Sequence, residues 1–128
     1  MPEKLTKILI VEDDHYMRKI YSNKLRRARF EVIEAIQGEE GWHKILYEQP
    51  DLIILDLILP MKSGFQLLSD IKGNDKTKKI PVIILTNLSQ GSDIQKGKDL
   101  GADDYLVKTD ISLTEVVDKV KMVLAKQR

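Results

Sequence analysis

Five short apolar runs rich in Ile, Leu and Val recur along the chain, and helical patterns separate them. The runs are Lys7–Val11, Glu31–Ala35, Leu52–Leu55, Val82–Leu85 and Tyr105–Val107. Runs this short, flanked by Pro and Gly, are typical of buried parallel strands. Because parallel neighbours need a crossover between them, the alternation of strand and helix predicts a three-layer α/β fold with helices on both faces of the sheet.

The helical segments differ in strength. Gly91 and Gly97 weaken the fourth segment, 89–101, because each costs about 1 kcal/mol relative to Ala inside a helix. Ser112 and Glu115 predict a capping box at the start of the last helix. In the other segments apolar residues recur at three- and four-residue spacing, centred on Tyr21, Ile45, Leu68 and Val120.

The composition fits one domain over residues 1–128, with a core from about 7 to 124. Hydrophobic residues make up 42% and charged residues 32%, as in ordinary globular domains. The 21 Lys and Arg nearly balance the 20 Asp and Glu, which argues against direct nucleic-acid binding. There is no Cys, hence no thiolate metal site or cysteine nucleophile. No apolar run approaches the ~18 residues of a membrane span, so we expect a cytoplasmic protein without membrane insertion.

Polar residues follow the predicted strands. Glu12 and Asp13 come directly after the first strand, and Asp56 comes after the third. Thr86 follows the fourth strand, and Lys108 follows the fifth. Since ligands bind beyond the carboxyl ends of parallel strands, we expect these side chains to share one edge of the sheet.

Several carboxylates at one edge need a counter-charge. Two of them ~5 Å apart repel by roughly 3 kcal/mol at an effective dielectric of ~20. Oxygen ligands without His or Cys suit a hard ion, Mg²⁺ or alternatively Mn²⁺. A metal, a hydroxyl and an ammonium together neutralise a phosphoryl group, and a carboxylate can accept that group as an acyl phosphate. The edge is therefore predicted to receive a phosphoryl group.

Four motifs in order resemble the receiver domain of two-component response regulators. They are Ile8–Asp14, Leu55–Gly64, Thr86 and Tyr105–Lys108. The resemblance extends from about Lys7 to about Leu124, nearly the whole chain. It implies a flavodoxin-like (βα)5 fold, with a five-stranded parallel sheet in the order 2-1-3-4-5, and Mg²⁺-dependent phosphorylation of an aspartate.

The resemblance also assigns roles to the residues that match the family motifs. Asp56 is the expected phosphoacceptor. Thr86 is expected to hydrogen-bond the phosphoryl group, and Lys108 to pair with it. Tyr105 matches the aromatic switch residue that is coupled to Thr86 in the family.

The implied metal ligands are the carboxylates of Glu12, Asp13 and Asp56 and the backbone carbonyl of Ile58. Asp13 is the expected direct ligand, and Glu12 is expected to act partly through water. We expect no organic cofactor.

The function implied by the resemblance is phosphorelay signalling, and the only catalysis expected is that of the domain's own phosphorylation and dephosphorylation. The expected donor is a sensor histidine kinase or a histidine phosphotransferase. Binding of an unknown downstream protein is expected to change at the face of helix 4, strand 5 and helix 5. The protein is expected to be a monomer or a weak phosphorylation-dependent dimer. Only 20 residues follow Lys108, so we expect no effector domain in this chain.

Two other functions stay open. One is a Mg²⁺-dependent phosphatase with an aspartyl nucleophile, although that class usually has a second acid where this chain has Ile58. The other is a receiver-like interaction module that is never phosphorylated. Such modules would usually have lost part of the acidic cluster, which is complete in this sequence.

Two local expectations accompany these assignments. Thr109 follows Lys108 where the family usually has a cis proline, and a non-proline cis bond costs roughly 2.5–4 kcal/mol, so a trans peptide is expected. The basic residues of the first helix, from Arg18 to Arg29, either dock an acidic partner or form a solvated face, and we favour the solvated face.

Overall fold

The computed structural model describes residues 4–127, so residues 1–3 and 128 of the predicted domain lie outside the described part. Its strands are β1 (Lys7–Val11), β2 (Glu31–Ala35), β3 (Leu52–Leu55), β4 (Val82–Thr86) and β5 (Asp104–Val107). They form one parallel sheet in the order β2-β1-β3-β4-β5. The predicted α/β class and strand order are confirmed.

A helix follows each strand, and side chains cap most of the helix starts. Asp14 caps the first helix by accepting a hydrogen bond from the Met17 N–H at 2.9 Å. The predicted capping box of Ser112 and Glu115 is present at the last helix, with both of its hydrogen bonds formed. The helices are α1 (His15–Arg27), α2 (Gly38–Glu48), α3 (Gly64–Gly73), α4 (Gly91–Asp99) and α5 (Leu113–Lys126).

Alternate residues of β1 pack on opposite sides of the sheet. Ile8 and Ile10 belong to a core with the buried residues of α1 and α5. Leu9 and Val11 belong to a second core with the buried residues of α2 and α3. Both faces of the sheet are therefore covered, which explains why its strands are apolar without alternation.

The strand register brings the carboxyl ends level. Val11 of β1 pairs with Leu55 of β3, and Thr86 of β4 pairs with Val107 of β5. Thr86 is thus the last residue of β4, whereas the sequence predicted that the strand ends at Leu85. The residues that follow β1, β3 and β5 lie on the same edge of the sheet: Glu12, Asp56 and Lys108.

Helix α4 is held less firmly than α5. Gly97 is its buried residue, and its N-cap residue Gln90 makes no side-chain capping bond. A Cβ on Gly97 would lie 2.6 Å from Ile84 Cδ1 and 3.0 Å from Tyr105 Cδ2. Glycine therefore lets α4 approach the sheet at this position. In contrast, four valines anchor α5 in the core: Val116, Val117, Val120 and Val123.

An open groove of about 1170 Å³ lies at the amino ends of the strands, on the opposite edge of the sheet from Glu12 and Asp56. Asp51 and Asp103 lie along it, and both accept backbone hydrogen bonds, from the N–H groups of Lys7 and Val82. Its remaining charged side chains are lysines: Lys4, Lys72, Lys78, Lys79 and Lys121. Among residues 4–127, none of the helices is both long and apolar enough to span a membrane.

Candidate functional site

Three carboxylates meet at the carboxyl edge of the sheet. One carboxylate oxygen from each of Glu12, Asp13 and Asp56 lies within 4.8 Å of the others. Glu12 and Asp56 are 3% and 5% exposed, whereas Asp13 is open to water. These residues come from the loops after β1 and β3, which the register places side by side. We call this cluster the acidic pocket.

Lys108 closes the acidic pocket from the side of β5. Its ammonium Nζ donates to Asp56 Oδ2 at 2.8 Å and also to Glu12 Oε1. The residue lies in the 3₁₀ turn Lys108–Asp110, and the described residues contain no cis peptide bond. The expected trans peptide before Thr109 is therefore confirmed, and it still lets Lys108 reach both carboxylates.

The pKa values show how this trio shares charge. Burial raises the pKa of Glu12 to about 7, the hydrogen bond from Lys108 opposes the rise, and the charge of Asp56 adds to it. Burial lowers the pKa of Lys108, but its hydrogen bonds to Asp56 and Glu12 outweigh burial and raise the pKa above its usual value. The ammonium thus stays charged between two buried acids.

The loop after Asp56 holds this carboxylate in place. The Ile58 N–H donates to Asp56 Oδ1 at 3.1 Å, so both carboxylate oxygens have a donor. The loop closes through the Gly64 N–H, which donates to the Leu57 carbonyl at 3.0 Å. A Cβ on Gly64 would lie 2.3 Å from the Asp56 carbonyl oxygen, so no side chain fits there. The Ile58 side chain is 53% exposed beside the pocket.

Thr86 and Tyr105 both engage the backbone of Leu88. Thr86 is fully buried, and its Oγ1 accepts a hydrogen bond from the Leu88 N–H at 3.4 Å. The Tyr105 hydroxyl donates to the Leu88 carbonyl at 2.7 Å. The loop between β4 and α4 therefore connects the two residues through Leu88.

Arg18 is a residue whose position we predicted wrongly. It is only 7% exposed, so it does not belong to the solvated basic face that we favoured for the first helix. Its guanidinium donates to the Glu12 carbonyl at 3.0 Å and to Glu34 Oε1 at 2.9 Å. A signal was present: Arg18 precedes Tyr21 and Leu25 by three and seven residues, the spacing of the buried face of α1.

The donors of the acidic pocket fit a hard divalent cation. All three candidate side-chain ligands are carboxylates, and oxygen ligands are those that Mg²⁺ prefers. The water-facing Asp13 suits a cation that keeps part of its water shell. The roles predicted for individual residues, including the Ile58 carbonyl, stay predictions.

The chain belongs to the response regulator receiver domain family of two-component systems, since the family model matches residues 8–121. The resemblance drawn from the four motifs is thereby confirmed. The family is one of signalling domains rather than of ordinary enzymes.

Curated relatives carry more sequence than this chain. The chain is 38% identical over 120 residues to the DNA-binding dual master transcriptional regulator RpaA of Synechocystis sp., a match that covers 94% of this chain and 49% of that protein. It is 34% identical over 124 residues to the phosphate regulon transcriptional regulatory protein PhoB of Rhizobium meliloti, covering 97% and 54%. The chain thus spans about half the length of these relatives.

Solved structures share the whole fold. The response regulator receiver domain protein (CheY-like) of Methanospirillum hungatei superimposes with a TM-score of 0.90 at 27% identity, and the match covers 97% of both chains. Chemotaxis protein CheY4 of Vibrio cholerae gives 0.87 at 28% identity, covering 94% of this chain and 99% of that one.

Proposed function

We propose that this receiver domain accepts a phosphoryl group on Asp56 in a Mg²⁺-dependent reaction. The observation that carries the proposal is the acidic pocket, in which a buried Asp56 lies against two further carboxylates and the Lys108 ammonium. Like charges at this distance repel and lower the stability of a small domain, so a functional role is the better explanation for the pocket. The proposed donor is the phosphohistidine of a sensor kinase or of a phosphotransferase.

Asp56 is the proposed nucleophile. A carboxylate oxygen forms the new O–P bond while the N–P bond of the phosphohistidine breaks, and the electron pair stays on the imidazole nitrogen. The Ile58 N–H and the Lys108 ammonium hold the carboxylate by one oxygen each, which fixes its orientation before the donor arrives.

Mg²⁺, when bound by Glu12, Asp13 and Asp56, supplies positive charge beside the transferred group. Lys108 supplies a second charge, because its ammonium already lies at the carboxylate that receives the group. Thr86, at the end of β4, is proposed to donate its hydroxyl to a phosphoryl oxygen. The hydroxyl can donate in this way while its oxygen still accepts the 3.4 Å hydrogen bond from the Leu88 N–H, because donor and acceptor sites of a hydroxyl are separate.

The proposed output runs through the loop shared by Thr86 and Tyr105. The Leu88 N–H donates to the Thr86 hydroxyl, so movement of this hydroxyl toward a phosphoryl group changes the position of Leu88. Tyr105 is hydrogen-bonded to the Leu88 carbonyl and is therefore affected in turn. Tyr105 in turn packs on α4 at Gly97. The surface of α4, β5 and α5 is therefore the proposed binding face for a downstream protein or for a second copy of the chain after phosphorylation.

The decisive experiment is incubation with Mg²⁺ and acetyl phosphate, followed by intact-mass measurement. We expect one phosphoryl adduct on the wild-type chain and none on Asp56→Asn. Asp14→Asn is the matched control, because Asn also caps helices well and the Asp14 side chain caps α1. It should be phosphorylated like the wild type. An absent adduct, or an adduct that survives Asp56→Asn, contradicts the proposal.

A further inference from the structure

We propose that Arg18 is a positioning residue for the acidic pocket: it holds the backbone of Glu12 and Asp13 so that their carboxylates are presented to Mg²⁺. The inference rests on the proposed Mg²⁺ site. It adds a residue outside the four motifs that point to the phosphoacceptor.

The contacts of Arg18 converge on the turn that carries two of the three carboxylates. One terminal nitrogen donates to the Glu12 carbonyl at 3.0 Å and to the Asp13 carbonyl at 3.4 Å. Nε donates to Glu34 Oε1 at 2.9 Å, and the other terminal nitrogen lies 3.1 Å from His15 Nδ1. The side chain is only 9% exposed, so water competes little for these bonds.

Glu34 fixes the far side of the guanidinium. It lies on β2, and it also pairs with Lys19 at 3.1 Å and with Arg26 at 3.2 Å. Burial raises the pKa of Glu34, but hydrogen bonds from Lys19, Arg26 and Arg18 outweigh it, so the pKa falls below its usual value and the carboxylate stays charged. Arg18 therefore has a firm anchor in the sheet, from which it reaches the turn.

The hydrogen bonds from Arg18 help to hold the turn that contains Glu12 and Asp13. The Glu12 N–H is bonded to the Ala35 carbonyl at 3.0 Å, and Arg18 bonds the Glu12 carbonyl, so both sides of this residue are fixed. Asp13 is exposed, and the bond from Arg18 to its carbonyl ties it to the protein interior. Groups that orient metal ligands commonly change metal affinity 10–100-fold when removed.

Geometry, rather than charge, should decide the effect of removing Arg18. A positive charge near a cation site opposes cation binding, so charge alone predicts that its loss strengthens Mg²⁺ binding. However, the charge of Arg18 is paired with Glu34 at 2.9 Å, and the pair is nearly neutral at a distance. We therefore expect weaker binding when the side chain is replaced.

Arg26 provides a matched control. It pairs with Glu34 like Arg18, but its side chain is 45% exposed and its other hydrogen bond goes to the Val32 carbonyl. Replacing it removes a guanidinium from Glu34 and leaves the turn of Glu12 and Asp13 untouched. Arg18→Lys is the conservative variant, since an ammonium keeps the charge but lacks the fork that spans Glu34 and the turn.

The test is calorimetric titration of the unphosphorylated protein with Mg²⁺ alone, with thermal melting of every variant. We expect Arg18→Met to weaken Mg²⁺ binding by about tenfold or more. Arg18→Lys should lie between Arg18→Met and the wild type, and Arg26→Met should bind as the wild type does. A purely structural role would lower the melting temperature and leave the Mg²⁺ affinity unchanged in the folded protein.

The outcomes separate this inference from the proposed function. A wild-type chain that binds no Mg²⁺ contradicts the proposed metal site itself. A wild type that binds, together with Arg18→Met at unchanged or higher affinity, overturns the positioning role alone. Equal weakening by Arg26→Met also overturns it, because loss of any partner of Glu34 would then suffice. If Arg18→Met does not fold, Arg18→Lys decides: unchanged affinity refutes the role.

Discussion

Asp13 differs from the other carboxylates of the acidic pocket in its surroundings. Within residues 4–127, Lys108 pairs with Glu12 and Asp56 and makes no ion pair with Asp13. Asp13 therefore repels two neighbours without a cation of its own. We predict that Asp13→Asn stabilises the protein in metal-free buffer, by about 1 kcal/mol or less because water screens an exposed group. Thermal melting with a chelator present measures the change.

Added Mg²⁺ should reverse that ranking, because a ligand that binds the folded state raises its stability by mass action. The wild type should then gain more than Asp13→Asn. Asp110→Asn, an exposed acid in the 3₁₀ turn, is the control and should behave as the wild type does. A clear loss of stability for Asp13→Asn without metal would show that the three carboxylates are not under repulsive strain.

Glu34 should make the stability of the protein depend on pH. Because its pKa is lowered in the folded state, its stabilising effect is present above its usual pKa of 4.5 and is lost as the pH falls below that value. We predict that Glu34→Gln destabilises the protein at pH 7 by on the order of 2 kcal/mol. The difference from the wild type should shrink in denaturant melts as the pH falls through 4.5.

Glu31→Gln is the matched control for this prediction. Glu31 lies on the same strand, but its carboxylate is half exposed and its ion pair with Lys7 is 3.9 Å long. Its replacement should change stability little at either pH. A difference for Glu34→Gln that does not shrink as the pH falls below 4.5 would mean that packing, and not ionisation, makes Glu34 stabilising.

At the scale of elements, the two glycines of α4 give a sharp contrast. A Cβ at Gly91 would meet nothing within 4 Å, whereas a Cβ at Gly97 would press on Ile84 and on the Tyr105 ring. We predict that Gly91→Ala stabilises the protein by about 0.5 kcal/mol or less, because Gly91 is the first residue of α4 and the full propensity difference applies only inside a helix. Gly97→Ala should instead destabilise it by about 1–3 kcal/mol, the usual cost of overpacking. Equilibrium unfolding of both variants measures the difference.

The same pair tests the coupling to Tyr105. Gly97→Ala should displace the ring and weaken the bond from its hydroxyl to Leu88, which the ring signals of Tyr105 in NMR spectra would report. Gly91→Ala should leave those signals unchanged. Equal effects of the two substitutions would mean that Gly97 merely makes α4 flexible.

Element positions were largely predictable because local signals and packing agree here. The runs of Val, Ile and Leu predicted β1 to β5 closely, and Ser112 with Glu115 predicted the start of α5. The exact end of a strand was harder to predict, since it follows from tertiary contacts: Thr86 proved to be part of β4, where it pairs with Val107. The burial of Arg18 was missed because a charged residue is assigned to solvent unless its partner, here Glu34, is known.

At the scale of the whole molecule, the net charge of +1 conceals a separation of charge. The acidic pocket lies at the carboxyl edge of the sheet, and the lysine-lined groove lies at the amino edge. A strand of five residues places the two edges about 16 Å apart. The near-neutral sum argued against direct nucleic-acid binding, yet each edge taken alone presents a distinct charge.

The groove at the amino edge also offers a place to attach a probe. Lys79 lines it and is exposed, and the sequence contains no cysteine, so Lys79→Cys would carry the only thiol of this chain. A fluorophore coupled there would sit a full strand length from Asp56. It would report on the domain without occupying the edge where chemistry is proposed, which makes the chain suited to a single-label sensor.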